Sequence, residues 1–389
     1  MIQETLLIMT LTIRLLFVAS LVSALVACAD SQSAASPDAL GPFAVGHTSF
    51  DPVETMRGDR PLLVDAWYPV DPADAQTSPL TEYFLVEGLG LPSEVAVDEL
   101  PVSGRSGQTL LVFSHGYQSI HIQSFGLMEA LASHGFIVIS AEHTGNAQAS
   151  PTDSFDEAAA NRVPDVSYLI DMMFARNLDP NDPFYGRIDE RGVGVLGHSF
   201  GAMTAIGMAS GWAGAMPDPR VSAIAPISAV IDGEMQSDER EGPNSGFTEE
   251  QLSSITIPVM LIGGTEDINV PIGNNELAFA QLINASHVYK VDVIGANHNH
   301  FAAICPIANT LIDFGLGPEA WPTIGAEGLL EPYETTCGPD VLPIEEANRL
   351  QNLYVVSFFK RHMLGDGGYD RYLSEEFASA EPGVTISVK

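Results

Sequence analysis

Short apolar, β-branched runs alternate with helical patterns from residue 61 onward. The runs are 62–68, 110–114, 136–141, 193–197, 221–227, 259–263 and 288–294. Between them, 125–133, 163–175, 202–210, 249–254 and 276–284 read as helix-like segments. Several central runs are apolar on both faces, as strands covered by helices on each side are. The pattern predicts a mostly parallel α/β sheet flanked by helices. Thr248 followed by Gln251 reads as a capping box, and a last helix over 344–363 closes the fold. The polar stretch 232–247 and the Gly/Pro-rich stretch 305–343 break the alternation. They read as loop insertions over a site, because open α/β sheets bind ligands beyond the carboxyl ends of their strands. Without an internal repeat or a long internal linker, 41–389 reads as a single domain.

The first apolar run is of another kind. Residues 11–26 are almost continuously apolar and carry Arg14 near their start, the layout of an export signal over 1–27. The run is short for a bilayer span. It ends Leu25-Val26-Ala27-Cys28, followed by small polar residues. A small-residue cleavage site with cysteine directly after it resembles the lipobox of bacterial lipoproteins, which implies acylation of Cys28 and a flexible tether over 28–40. The chain is then exported and membrane-anchored through its lipid, periplasmic or at the cell surface; if Cys28 is not acylated it is secreted. With Cys28 lipidated, Cys305 and Cys337 remain as a pair for a disulfide in an oxidising compartment. Two free buried thiols are the alternative.

Composition narrows the partners. The 389 residues are 46% apolar and 17% charged, enough for a large core, and their formal charge is −34. Such a surface repels phosphate backbones, so no nucleic-acid partner is expected. A local acidic run at Asp238, Glu239 and Glu241 reads as solvated surface. The leader holds one acid, Glu4, and one base, Arg14, so the acidity belongs to the mature protein.

The chemistry centres on Gly197-His198-Ser199-Phe200-Gly201, a G-x-S-x-G between a strand and a helix. That context puts Ser199 on a sharp turn that exposes its hydroxyl, with glycines where side chains would collide. An acid and then a histidine should follow. Asp267, after the 259–263 run, is the expected acid, with Glu266 the alternative. His298, after the 288–294 run, is the expected base, with His300 the competitor, while His287 and His362 read as structural. The amides of Phe200 and Tyr117 are the expected oxyanion donors. His115 reads as a positioning residue.

These residues resemble the plasma-type platelet-activating factor acetylhydrolases and their bacterial relatives in the α/β-hydrolase superfamily. The likeness lies in Leu111-Val112-Phe113-Ser114-His115-Gly116, in Leu131-Ala132-Ser133-His134-Gly135-Phe136-Ile137-Val138, in Glu142-His143, in the G-x-S-x-G and in Gly295-Ala296-Asn297-His298-Asn299-His300-Phe301. It implies the α/β-hydrolase fold and an esterase releasing short acyl groups without cofactor or metal. One position departs: where those enzymes carry the triad acid, this chain has Ser228. The stretch Thr265-Glu266-Asp267-Ile268-Asn269-Val270-Pro271 is instead similar to the acid loop of dienelactone hydrolases and cutinase-like polyester hydrolases. The expectation is a serine ester hydrolase with the triad Ser199, His298 and Asp267, acting on a small-molecule or lipid ester. A polyester or dienelactone-type substrate is the alternative. From another class, the alternative is a non-catalytic binding protein on a hydrolase scaffold.

Overall fold

Strand formation starts earlier in the chain than the apolar runs indicate. The structure, a computed structural model, describes residues 35–75, 78–86, 88–235 and 242–389. Its strands are β1 (Ala44–Phe50), β2 (Val53–Glu54), β3 (Arg60–Pro61), β4 (Val64–Val70), β5 (Leu80–Val86), β6 (Leu89–Asp98), β7 (Gln108–Ser114), β8 (Ile137–Ala141), β9 (Ile188–His198), β10 (Val221–Ile227), β11 (Val259–Gly264), β12 (Val288–Val293) and β13 (Val384–Val388). Its helices are α1 (Phe125–Ser133), α2 (Phe155–Leu178), α3 (Phe200–Ser210), α4 (Glu249–Ser254), α5 (Gly273–Gln281), α6 (Ile304–Asp313), α7 (Leu330–Thr336), α8 (Ile344–Met363) and α9 (Glu375–Ala380). The export signal, Cys28, the first part of the tether and the acidic run at Asp238, Glu239 and Glu241 lie outside the described residues. Among the described residues, no helix is long and apolar enough to cross a membrane.

Every strand except β2 and β3 joins one sheet, in the order β13-β12-β11-β10-β9-β7-β8-β4-β1-β6-β5. From β12 to β8 the neighbours run parallel. β13 and β4 are antiparallel to their neighbours, and β5 pairs antiparallel with β6. The fold is the α/β-hydrolase type expected. Alternation along β7 assigns its two faces: Leu110 and Val112 pack with Val163, Ile170 and Ile206 of α2 and α3. Leu111 and Phe113 pack with Leu131 of α1 and Phe358 and Phe359 of α8 on the other side. β8 and β9 lie on opposite sides of β7, so the crossover direction reverses there and the crevice opens beyond the carboxyl ends of β7 and β9. Pro37–Lys389 forms one compact unit.

The stretch 305–343 is not a plain loop. It forms a helical lobe with α6 and α7 around the buried Trp321, and Cys305 and Cys337 are joined by a disulfide. Such a bond fits an oxidising, extracellular or periplasmic location. The lobe rests on the loop after β12, where the Asn297 side chain donates to Thr335 O (2.9 Å) and accepts from Thr336 Oγ1 (3.3 Å). Closing a loop of 32 residues' separation stabilises by about 4 kcal/mol through the unfolded chain. Cys305→Ser with Cys337→Ser is therefore expected to lower stability by about that amount in a denaturant melt, with kcat on a short ester changed less than about threefold. A larger kcat loss at full folding would mean that the bond also holds the site.

Candidate active site

β9 runs into α3 with no intervening loop, and the junction residue Ser199 takes φ 58° and ψ −119°. A non-glycine residue in that region is strained, and the surroundings show why it stays there. A Cβ on Gly201 would sit 1.8 Å from the Ser114 carbonyl oxygen, and one on Gly197 would sit 2.4 Å from the Gly201 carbonyl oxygen. Only bare backbone lets β7, β9 and α3 approach this closely. The Ser199 amide is tied to Ile227 O on β10 (2.9 Å), so the strained residue is braced from the neighbouring strand.

Asp267 and His298 are brought together. Asp267 lies in the turn after β11, and its Oδ1 accepts from the amides of Asn269 (3.0 Å) and Val270 (2.8 Å). Its Oδ2 accepts from His298 Nδ1 (2.8 Å). Burial pushes the carboxyl up, but the bond and charge of His298, the Val270 amide and the Ser228 hydroxyl outweigh it and hold Asp267 below the usual carboxylate range. Ser228, at the departing position, is buried at the end of β10 with φ 52°. His298 opens a short 3-10 turn capped by the Asn297 side chain, and its ring lies 4.5 Å, centroid to centroid, from that of His198, the residue before Ser199. With Nδ1–H committed to Asp267, Nε2 keeps its lone pair, as a base requires. Among the described residues, no hydrogen bond closes Ser199 Oγ onto that nitrogen; such contacts often tighten only when substrate binds.

The competitors fall elsewhere. His300 is 1% exposed, with Nε2 donating to Leu342 O (2.9 Å) and Nδ1 accepting from the Asn297 amide (3.0 Å), so neither nitrogen is available. His287 and His362 stack beside Tyr289 near the far end of α8. Glu266 is exposed and lines a cavity of about 420 Å³ between the acid turn, the histidine turn and the helical lobe, together with Ile268, Asn299 and Glu331.

The turn after β7 flanks the serine: a Cβ on Gly116 would lie 3.7 Å from Ser199 Cβ. The rings of Tyr117 and Phe200 meet edge to face at 5.3 Å. The Phe200 amide is among the unpaired donors that open α3. Beneath this turn lies a network without a sequence signal of its own. Arg162, fully buried in α2, donates to His115 O (2.5 Å), Gly116 O (2.9 Å), Asn146 Oδ1 (2.5 Å) and Ser114 Oγ (3.1 Å), with its guanidinium 4.8 Å over the Phe200 ring. Burial pulls Arg162 down to about 9, still cationic at pH 7. Ser114 Oγ, His143 and Asp165 are linked at 3.0 and 2.9 Å, the same residue types as the surface constellation. Ser114 has no exposure and its oxygen is taken by Arg162, so this set supports structure. His115, held neutral by burial, bonds the Gly116 carbonyl and the His143 amide, as a positioning residue does.

His121, on the segment that leads into α1, pairs with Asp65 (3.1 Å) and Glu142 (3.2 Å). Burial pushes its imidazole down, but the two carboxylates outweigh burial and raise it to about 9. A histidine raised in the folded state contributes stability below its unfolded value of about 6.5 and loses it as pH rises through the folded one. The denaturation midpoint is expected to fall between about pH 6.5 and 9, and His121→Asn is expected to flatten that slope. A slope unchanged in the variant would assign the alkaline loss to other groups.

A protein-family model, Chlorophyllase, matches residues 101–299. The match opens before β7 and ends just past His298, so it contains Tyr117, Ser199, Phe200, Asp267 and His298. No curated protein matches the chain, and the likeness to platelet-activating factor acetylhydrolases and dienelactone hydrolases rests on the motifs alone. The chain belongs to the chlorophyllase family, an α/β-hydrolase-type family of ester hydrolases.

Proposed function

We propose that this protein is an exported serine ester hydrolase that works through an acyl-enzyme on short-acyl carboxylic or phospholipid esters. The observation that carries the reading is the Asp267–His298 hydrogen bond of 2.8 Å, set in a loop that lies against the strained Ser199 elbow. Ser199 Oγ attacks the ester carbonyl as His298 Nε2 takes its proton. The oxyanion is held by the amides of Phe200 and Tyr117. Collapse expels the alcohol, which receives the proton from His298, and water then cleaves the acyl-enzyme with the same histidine as base. Asp267 fixes the imidazole tautomer and stabilises the imidazolium.

The acid on the β11 turn rather than at Ser228, with Ile268 beside it 71% exposed, supports polyester as the second substrate class. The strong negative charge disfavours anionic esters. Acylation of Cys28 would hold the enzyme on a membrane, with 41–389 as its single catalytic domain. The test is a panel on purified mature protein: acetyl and long-chain p-nitrophenyl esters, acetylated and long-chain glycerolipids, chlorophyll and a polyester film. It is run with peptide mapping after fluorophosphonate treatment. Turnover of a short ester with the adduct on Ser199 is expected; absence of both turnover and adduct would leave a binding protein on a hydrolase scaffold.

A further inference from the structure

Three separate turns, after β7, β9 and β12, must be held in register for the proposed chemistry, and one side chain bonds the first two and, through His198, reaches the third. Gln123, 4% exposed at the approach to α1, accepts the Gly116 N–H on its Oε1 (2.7 Å). Its Nε2 donates to His198 Nδ1 (3.0 Å). His198 is 3% exposed and neutral, because burial and the neighbouring His298 pull it down to about 3. Its remaining nitrogen, Nε2–H, donates to the His298 carbonyl (3.0 Å). The backbone repeats the link, for Gln123 O accepts from the Ala303 amide (2.5 Å) and Ser124 Oγ donates to Phe301 O (2.9 Å).

All three side-chain bonds run in one donor direction, from Gly116 through Gln123 and His198 to His298. Only a primary amide of this length supplies an acceptor to the first and a donor to the second.

We infer that Gln123 is a positioning residue that locks the oxyanion turn, the elbow and the base turn to one another. The inference rests on the serine hydrolase reading above. Misplacing reacting groups by about 1 Å costs about 10²-fold in rate, and substrate binding outside the turn is untouched, so the loss falls on kcat.

The test uses the whole mature enzyme and a short p-nitrophenyl ester. Gln123→Met removes both hydrogen bonds at nearly constant volume and is expected to lower kcat about 30- to 100-fold, with KM within about threefold and the rate of fluorophosphonate labelling reduced in parallel. His198→Phe is expected to match it. The double variant is expected to be no more than about threefold worse than the poorer single one, because both cut one chain. Gln123→Glu, which keeps the acceptor for Gly116 but sets a buried carboxylate against the His198 Nδ1 lone pair, is expected to lose at least about tenfold in kcat at pH values where that carboxylate is ionised, measured on the folded fraction. It decides the matter if Gln123→Met does not fold. A folded Gln123 variant with wild-type kcat, or single losses that multiply in the double variant, overturns the inference. Failure of wild-type labelling at Ser199 would instead overturn the hydrolase reading beneath it.

Discussion

Ser199→Ala is expected to lower kcat/KM for short p-nitrophenyl esters by at least about 10⁴-fold and to end fluorophosphonate labelling, while the folded state survives. Removal of the oxygen deletes the proposed attacking atom, so the remaining turns would only bind and polarise the ester. The fold should tolerate the change for a local reason. Alanine keeps the Cβ that already occupies φ 58°, the backbone bond to Ile227 O is untouched, and among the described residues no hydrogen bond of the Ser199 hydroxyl is lost. A melting temperature close to wild type with activity at background is the expected pair of readings. Labelling that persists in the variant would move the nucleophile elsewhere.

The parallel core was legible because its strands are buried on both faces: 221–227 matches β10, and 125–133 and 344–363 match α1 and α8. The antiparallel strands β1, β5, β6 and β13 were not, because they lie toward the sheet edges and mix polar with apolar positions, as in Leu89–Asp98, where buried Leu91 and Ser93 flank an exposed Pro92. The lobe over 305–343 was hidden by its glycines and prolines. Pro306 stands in the first turn of α6, where a missing amide hydrogen has no helical acceptor to lose, so the helix forms around it.

At the site, order along the chain pointed to Ser199, Asp267 and His298, since each follows its own strand, and the structure brings Asp267 and His298 together. Three dimensions separated His298 from His300 by engaging both nitrogens of the latter. The residues that hold these groups left no such trace. Gln123 lies in a segment without periodicity, and Arg162 and Asp165 show only as two charges in a helix whose neighbours Val163, Val166 and Ile170 face the sheet.

Asp165 is where the largest loss of stability is expected. The carboxylate is fully buried, and its oxygens accept from Arg57, from Arg60 Nε (2.8 Å) and Nη2 (2.9 Å), and from His143 Nδ1 (2.9 Å). Burial would raise its pKa, yet the bonds and charges of His143 and Arg60 outweigh burial and hold it far below the usual range. Asp165→Ala takes the carboxylate from a buried imidazole and from two guanidinium groups, of which Arg57 keeps Glu54 and Arg60 keeps the Thr144 carbonyl. That costs about 3–5 kcal/mol, the range for breaking a buried pair from one side, and Asp165→Asn should cost less because its amide oxygen still accepts.

The sign with pH follows from the depressed carboxyl: its contribution is present above the unfolded value of about 3.9 and is lost as pH falls toward the folded one. Wild-type stability is therefore expected to fall steeply below about pH 4, with a shallower acid slope in Asp165→Asn. Because His143 links Asp165 to Ser114, and Ser114 to the Arg162 that holds the carbonyls of His115 and Gly116, the loss should reach the chemistry. Asp165→Ala that is still folded at neutral pH is expected to show a lower kcat at nearly constant KM. Full kcat in that variant would mean that Arg162 holds the oxyanion turn unaided, and that the buried ion network serves the fold alone.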